Sequence, residues 1–294
     1  MGDTYRSGFV AIIGRPNVGK STLLNRLLGQ KVAIVSDKPQ TTRNQIRGIL
    51  TLPHAQVVFV DTPGMHKPFH CLGEYMMREV RGALGDVDLV LLVVDGSQRP
   101  GEGDRYIAAE LADTKVPSLL VINKGDKLGP AEWVTSYEAL SDFLDTVVVS
   151  AVTGQGLSDL VGKLIQRLSP GPQYYPDDMV SDQPLKFLLG EYIREKVLEL
   201  TREEVPHAVA VEVEEVSPRD DRDLTDIRAT IYVERDSQKG IIIGKGGRML
   251  RSIGQLARVE MEALLDCQVN LQLWVKVKKD WREQESALRS LGYT

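Results

Sequence analysis

Cysteine is nearly absent from this chain of 294 residues, with Cys71 and Cys267 the only two. They lie far apart and show no metal-ligand spacing, which argues against a disulfide scaffold and suits a reducing compartment. No apolar run approaches the roughly 20 residues that a spanning helix needs. Met1–Ser7 is short and polar, without a signal-peptide core. The expectation is a soluble cytoplasmic protein, with surface association with a membrane left open. A basic excess is missing too. The net charge is −5, so any nucleic-acid contact must come from a local patch rather than a global field. There is no tandem repeat and no low-complexity tract. What remains is a chain 42% hydrophobic and long enough for two domains with substantial cores.

The most informative stretch is Gly14, Arg15, Pro16, Asn17, Val18, Gly19, Lys20 and Ser21. It follows the apolar run Phe9–Ile13 and precedes Thr22–Leu28, which has helical character and ends at Gly29. Gly, four residues and then Gly-Lys-Ser at a strand-to-helix turn is the phosphate-loop pattern. Backbone N–H groups converge there on phosphate oxygens, and the helix N-terminus favours an anion. Lys20 is expected at the β- and γ-phosphates, and Ser21 at Mg²⁺.

The first 170 residues alternate between strand and helix. Strands are expected at Phe9–Ile13, Gln45–Leu52, Gln56–Val60, Leu89–Val94, Ser118–Ile122 and Thr146–Val149. Helices are expected at Lys20–Leu28, Leu72–Leu84, Asp104–Ala112, Trp133–Leu144 and Leu157–Leu168. The alternation predicts an α/β domain with a mainly parallel sheet, in which ligands bind beyond the carboxyl ends of the strands.

The residues that follow those strand ends therefore matter most. After Val57–Val60 come Asp61, Thr62, Pro63 and Gly64. The acid suits a Mg²⁺ water shell, and the glycine can turn its N–H to a γ-phosphate. After Leu119–Ile122 come Asn123, Lys124, Gly125 and Asp126. A carboxylate accepts and never donates, so Asp126 matches the N1–H and amine of guanine and finds no counterpart on adenine. Lys124 can cover the ring plane, and Asn123 can tie neighbouring loops. After Val147–Val149, a backbone N–H at Ser150 or Ala151 could meet the guanine carbonyl. Between the first helix and second strand lies Ser36–Arg43, polar and irregular. A threonine there could complete the Mg²⁺ shell when the γ-phosphate is present. Thr42 is favoured, and Thr41 is its neighbouring alternative. Lys20, Thr42 and Gly64 form the expected catalytic set.

These motifs resemble the translation-factor-like class of small GTPases in order and spacing. Gly-Arg-Pro-Asn-Val-Gly-Lys-Ser, Gln-Thr-Thr-Arg, Asp-Thr-Pro-Gly and Asn-Lys-Gly-Asp narrow the likeness to the Era and tRNA-modification branch. In Ras-like switches the residue after Asp-x-x-Gly is a glutamine that positions water. Here it is Met65, whose thioether cannot do so, and the resemblance implies another means of orienting water. In related enzymes the asparagine matching Asn17 can help bind K⁺ near the phosphate. Asn17 either does this or only shapes the loop. No arginine finger stands out, since Arg15 and Arg43 are equally explained by salt bridges or exposure. Slow intrinsic turnover follows.

Ser169–Asp178 carries three prolines and a glycine and reads as a linker. The domain expectation is 1–170 for nucleotide binding, 171–183 for the linker and 184–294 for a second domain. There the order is helix (Leu185–Leu200), strand (Ala208–Val216), strand (Arg228–Val233), short helix (Gly240–Gly244), helix (Arg248–Leu265) and strand (Val269–Val277). Between the last two helices sit Ile242, Ile243, Gly244, Lys245, Gly246, Gly247 and Arg248. Gly-x-x-Gly between helices is the clamp of the KH module, which holds about four nucleotides of single strand. Lys245 and Arg248 can meet phosphates. Ile241–Ile243 can line the groove, with a core role expected for at least one of them. Residues 239–282 carry nine basic and four acidic side chains, and 205–236 carry four and nine. The basic half is the candidate RNA footprint. Lys276, Lys278 and Lys279 either extend it or guard a strand edge against aggregation.

A KH domain of type II order behind such a GTPase resembles the Era family specifically. Gly171–Asp178 and Glu191–Lys196 carry the likeness further along the chain. The resemblance implies a GTP/GDP switch that binds the 3′ end of small-subunit ribosomal RNA and acts in small ribosomal subunit assembly. It also implies peripheral contact with the inner membrane. Two rivals are an RNA-binding adaptor that nucleotide merely stabilises, and an ATPase or nucleotide kinase. The second would need another account of Asp126.

Overall fold

The computed structural model describes residues 4–65 and 70–293. Met1–Asp3 of the polar start and His66 of the loop after Asp61 lie outside them. Most of a first compact unit ends at Asp182, and most of a second begins at Gln183.

The first unit runs β1 (Arg6–Ile13), α1 (Lys20–Leu28), β2 (Ile46–Leu52), β3 (Ala55–Asp61), α2 (Cys71–Gly85), β4 (Leu89–Asp95), α3 (Glu102–Thr114), β5 (Ser118–Asn123), α4 (Ala131–Glu138), β6 (Thr146–Val148) and α5 (Leu157–Arg167). The sheet order is β2-β3-β1-β4-β5-β6. Only β2 is antiparallel to its neighbour. β4 and β5 are buried along their whole lengths, as unbroken apolar runs require of central parallel strands. Because β1, β3, β4 and β5 run the same way, their carboxyl ends, Ile13, Asp61, Asp95 and Asn123, share one edge.

One expected helix is shorter than its pattern. α4 stops at Glu138, and the chain continues in turns, Leu140 N–H reaching Tyr137 O at 3.1 Å. Leu140 and Phe143 still pack on the core beneath the sheet. The apolar spacing therefore reported burial correctly but not the backbone that delivers it. Of residues 171–183, read as a linker, all up to Asp182 belong to the first unit and are fastened to it. Gly171 N–H reaches Tyr5 O at 3.1 Å and Ile49 N–H reaches Val180 O at 2.8 Å. The Gln56 side chain donates to Tyr175 O at 2.9 Å.

The second unit runs α6 (Leu185–Leu200), α7 (Val205–Ala208), β7 (Ala210–Pro218), β8 (Leu224–Val233), α8 (Asp236–Ile243), α9 (Arg248–Leu265), β9 (Gln268–Val277) and α10 (Glu285–Ser290). Its sheet is β7-β8-β9, with β8 and β9 parallel and β7 antiparallel to β8. Helices α6 and α9 are joined by Lys196 and Glu260 at 2.6 Å. Ala208, expected to begin a strand, ends the short α7, which carries a proline in its first turn. α8 starts earlier than expected because Gln238 reaches back to the N–H groups of Glu234 and Arg235, each at 3.0 Å.

Candidate nucleotide site and nucleic-acid groove

The loop between β1 and α1 curls around the side chain of Lys20. The ammonium donates to Gly14 O at 3.1 Å and Arg15 O at 3.0 Å. Asn17 holds a left-handed backbone at φ 64°, a conformation asparagine tolerates better than most residues. Lys20 is 6% exposed and Asp61 is fully buried. Burial brings the Lys20 pKa down to about 8, opposed by the charge of Asp61. Burial raises that of Asp61 to about 6, opposed by Lys20 and by the hydrogen bond from Ser21.

Three oxygens from three segments converge beside the lysine. Ser21 Oγ donates to Asp61 Oδ2 at 2.6 Å and lies 2.9 Å from Thr42 Oγ1. Thr42 is thus the threonine brought to this point. Asp61 Oδ1 is buried without a hydrogen-bond partner. A hard, all-oxygen set with one orphaned carboxylate oxygen is what a small divalent cation takes, with phosphates and water supplying the rest. Thr62 Oγ1 anchors the next segment on Ile12 O at 2.9 Å. Gly64 crosses the phosphate loop so closely that a Cβ would sit 2.8 Å from Pro16 N. Met65 N–H closes on Gly14 O at 3.1 Å. The Met65 side chain is 2% exposed and joins the core with Ile13, Met77 and Val80, so it faces away from the site where a glutamine would hold water.

The base-side loops are tied to one another. Asn123 Nδ2 donates to Val18 O at 2.8 Å, and its Oδ1 accepts from Ala151 N–H at 3.0 Å. In this structure the Ala151 N–H is therefore given to Asn123. Ser150 Oγ donates to Asp126 Oδ1 at 2.6 Å, and this bond is the main reason the exposed carboxyl sits below its ordinary range. Lys124 reaches Asp95 Oδ2 at 2.5 Å. Burial would raise the Asp95 pKa, but hydrogen bonds from Lys124 and Ser97 outweigh it and hold it low.

Asp95 and Asp104 escaped the sequence reading. Asp95 terminates β4, so it met the strand-end criterion that found Asp61. Asp104 is 1% exposed and lies in the first turn of α3. Its carboxylate accepts from Gly101 N–H at 2.8 Å and from Arg15 at 2.9 Å. Arg15 is thereby turned onto α3, and Arg43 is buried at 2% exposure.

In the second unit, Gly244–Gly247 forms the turn between α8 and α9. Gly246 sits at φ 62° with open space where a side chain would be. Lys245 and Arg248 are exposed. Ile242, expected in the groove, is fully buried. It faces inward from the last turn of α8 and belongs to the core, whereas Ile243 is half-buried at the surface. Beside the turn lies a groove of about 450 Å³ between α9 and β9. Arg251, Gln255 and Arg258 line one wall, and Asn270, Leu271 and Leu273 the other. Sequence reading missed these lining residues, although helical spacing places 251, 255 and 258 on one face of α9.

Fold and site together define a phosphate-loop GTPase carrying a KH module. Residues 9–124 match the family described as 50S ribosome-binding GTPase, and residues 204–282 match the KH domain family. One similar solved structure is Era in complex with MgGDPNP and nucleotides 1506-1542 of 16S ribosomal RNA. It is 40% identical with a TM-score of 0.95, over 99% of this chain and 99% of that one. Another is a variant of Aquifex aeolicus Era bound to GDP.AlF4-, also 40% identical with a TM-score of 0.95, over 98% and 99%. The chain belongs to the Era family of GTPases. No helix among the described residues is long and apolar enough to cross a membrane.

Proposed function

We propose that this protein is a GTP-hydrolysing switch that binds the 3′ end of small-subunit ribosomal RNA through its KH domain and assists small ribosomal subunit assembly. The carrying observation is the convergence of Ser21, Thr42 and Asp61 beside Lys20, on a chain that also holds a KH clamp. A relative of 40% identity was solved with MgGDPNP and a segment of 16S ribosomal RNA bound together, which supports the same pair of ligands here. Work in the cytoplasm, with peripheral contact at the inner membrane, fits this reading.

Ser21, Thr42 and Asp61 would hold Mg²⁺, which neutralises charge on the β- and γ-phosphates. Gly14 to Thr22 cradle those phosphates with backbone N–H groups, and Lys20 adds a fixed positive charge. Water attacks the γ-phosphorus, the bond to the β–γ bridging oxygen breaks, and GDP and phosphate are the products. The N–H of Gly64 takes the γ-phosphate, with Thr62 and Pro63 setting its approach. Met65 is committed to the core, and Arg15 to Asp104, so neither supplies the water-positioning group or a finger. Asn17 would help hold K⁺ there, and the ion would supply positive charge in their place. Equal hydrolysis rates in K⁺ and Na⁺ buffers would remove that part of the reading.

Asp126 selects guanine, Lys124 covers its plane, and Asn123, Ser150 and Ala151 fix the loops around it. GTP orders Gln40–Thr42 and the segment after Asp61, and this alters how the second domain binds RNA. Saturating RNA should therefore change nucleotide affinity or turnover. If RNA shifts neither, nucleotide and RNA are bound by independent modules.

A further inference from the structure

The free edge of β9 carries a second set of groups suited to RNA, outside the groove. β9 is the edge strand of its sheet. Along it, Val269 and Val275 are buried, and Leu271 and Leu273 turn to the groove. The alternate residues Gln272, Trp274 and Lys276 point to the opposite, uncovered face. Trp274 is 44% exposed. Register places Trp274 beside Thr230 and Lys276 beside Tyr232 of β8. Lys278 lies over the Tyr232 ring at 5.7 Å and meets Ser290 Oγ.

The acids on this face stand on β7, and each already has a partner. Glu212 accepts from Tyr232 at 3.0 Å, Glu214 accepts from Thr230 at 2.6 Å, and Glu215 pairs with Arg228. Lys276 lies 3.8 Å from Glu214, and its side chain stays 57% exposed. What is left along the edge is an exposed indole, Lys276 in register with Tyr232, and Lys278 over that tyrosine's ring. Lysines alone would be explained by protection of the edge. A large exposed aromatic works against that purpose, because it favours strand pairing. Single-stranded nucleic acid uses both groups together: bases stack on aromatic faces, and ammonium groups follow the phosphates.

We propose that RNA leaving the KH clamp crosses the free edge of β9 and stacks a base on Trp274, with Lys276 and Lys278 meeting its phosphates. The inference rests on the KH reading and extends the site beyond the about four nucleotides of the clamp. The strand connects the two surfaces directly, since Leu273 lies in the groove and its neighbour Trp274 on the outer face.

The test compares full-length Trp274→Ala with the parent on two single-stranded RNAs from the 3′ end of small-subunit ribosomal RNA. One has about four nucleotides, and the other about twelve, within the range such surfaces cover. Trp274→Ala should weaken the longer RNA about tenfold, the size of one lost stacked base, and leave the shorter one unchanged. No loss on the longer RNA, or the same loss on both, overturns the proposal. The clamp reading stands or falls separately, on whether Gly246→Asp loses the shorter RNA. An unchanged melting temperature in Trp274→Ala, expected of so exposed a side chain, keeps the comparison free of unfolding.

Discussion

In the nucleotide site Lys20 is 6% exposed and Asp61 is buried, whereas Lys245 and Arg248 of the RNA clamp stand in solvent. The first site fixes Lys20 and Asp61 inside the fold, shifts their pKa values and ties its base-side loops to one another through Asn123. The second offers a glycine backbone for close approach and leaves its charges exposed at the surface. Fixed, desolvated groups discriminate between ligands by geometry. Exposed lysines and arginines attract phosphates of any sequence, and their grip weakens with salt. A guanine-specific switch and a module that follows an RNA backbone need these opposite designs.

The contrast can be broken most severely at the base. Asp126→Asn should reduce the preference for GTP over ATP by roughly a thousandfold or more, because one of guanine's two donors then faces an amide N–H instead of an acceptor. Competition binding with both nucleotides measures it, and unchanged selectivity would remove Asp126 from the role. Next in size, Lys20→Ala should lower GTP turnover by roughly a hundredfold or more, as loss of a preorganised charge does, with binding of a short RNA untouched. Single-turnover hydrolysis and RNA titration together read that separation. In the other direction, Gly246→Asp should weaken RNA by about tenfold through like-charge repulsion at the phosphates, with GTP affinity unaltered. A loss of GTP binding in that variant would blur the two sites into one.

The smallest expected effect sharpens the idea that the nucleotide site is held by struts. Asp104→Ala removes the α3 cap and the Arg15 partner together, and should cost about 2 kcal/mol in urea unfolding. Arg15 is partly exposed, so most of that loss belongs to the cap. Asp104→Asn should keep the larger share of stability.

The motifs were legible because phosphate and guanine recognition demand particular residues at strand ends. Glycines, Lys20, Asp61 and Asp126 announce themselves by spacing alone. Asp95 and Asp104 carry no motif: they act on Lys124 and Arg15 across distances in sequence that only the sheet closes. Helix boundaries were less legible. The run 133–144 has helical spacing throughout, yet α4 ends at Glu138 because turns deliver Leu140 and Phe143 to the same core. α7 and α10 are too short to show a period. Among the isoleucines before the clamp, composition could not separate buried Ile242 from exposed Ile241, since the face turned inward depends on where α8 begins.

The most direct test of the account measures RNA affinity of the purified protein loaded with a GTP analogue and then with GDP. The RNA copies the 3′ end of small-subunit ribosomal RNA, and Mg²⁺ is present throughout. The coupled switch predicts tighter RNA binding with the GTP analogue. Equal affinity in both states would contradict it, leaving two working sites on one chain with no linkage between them.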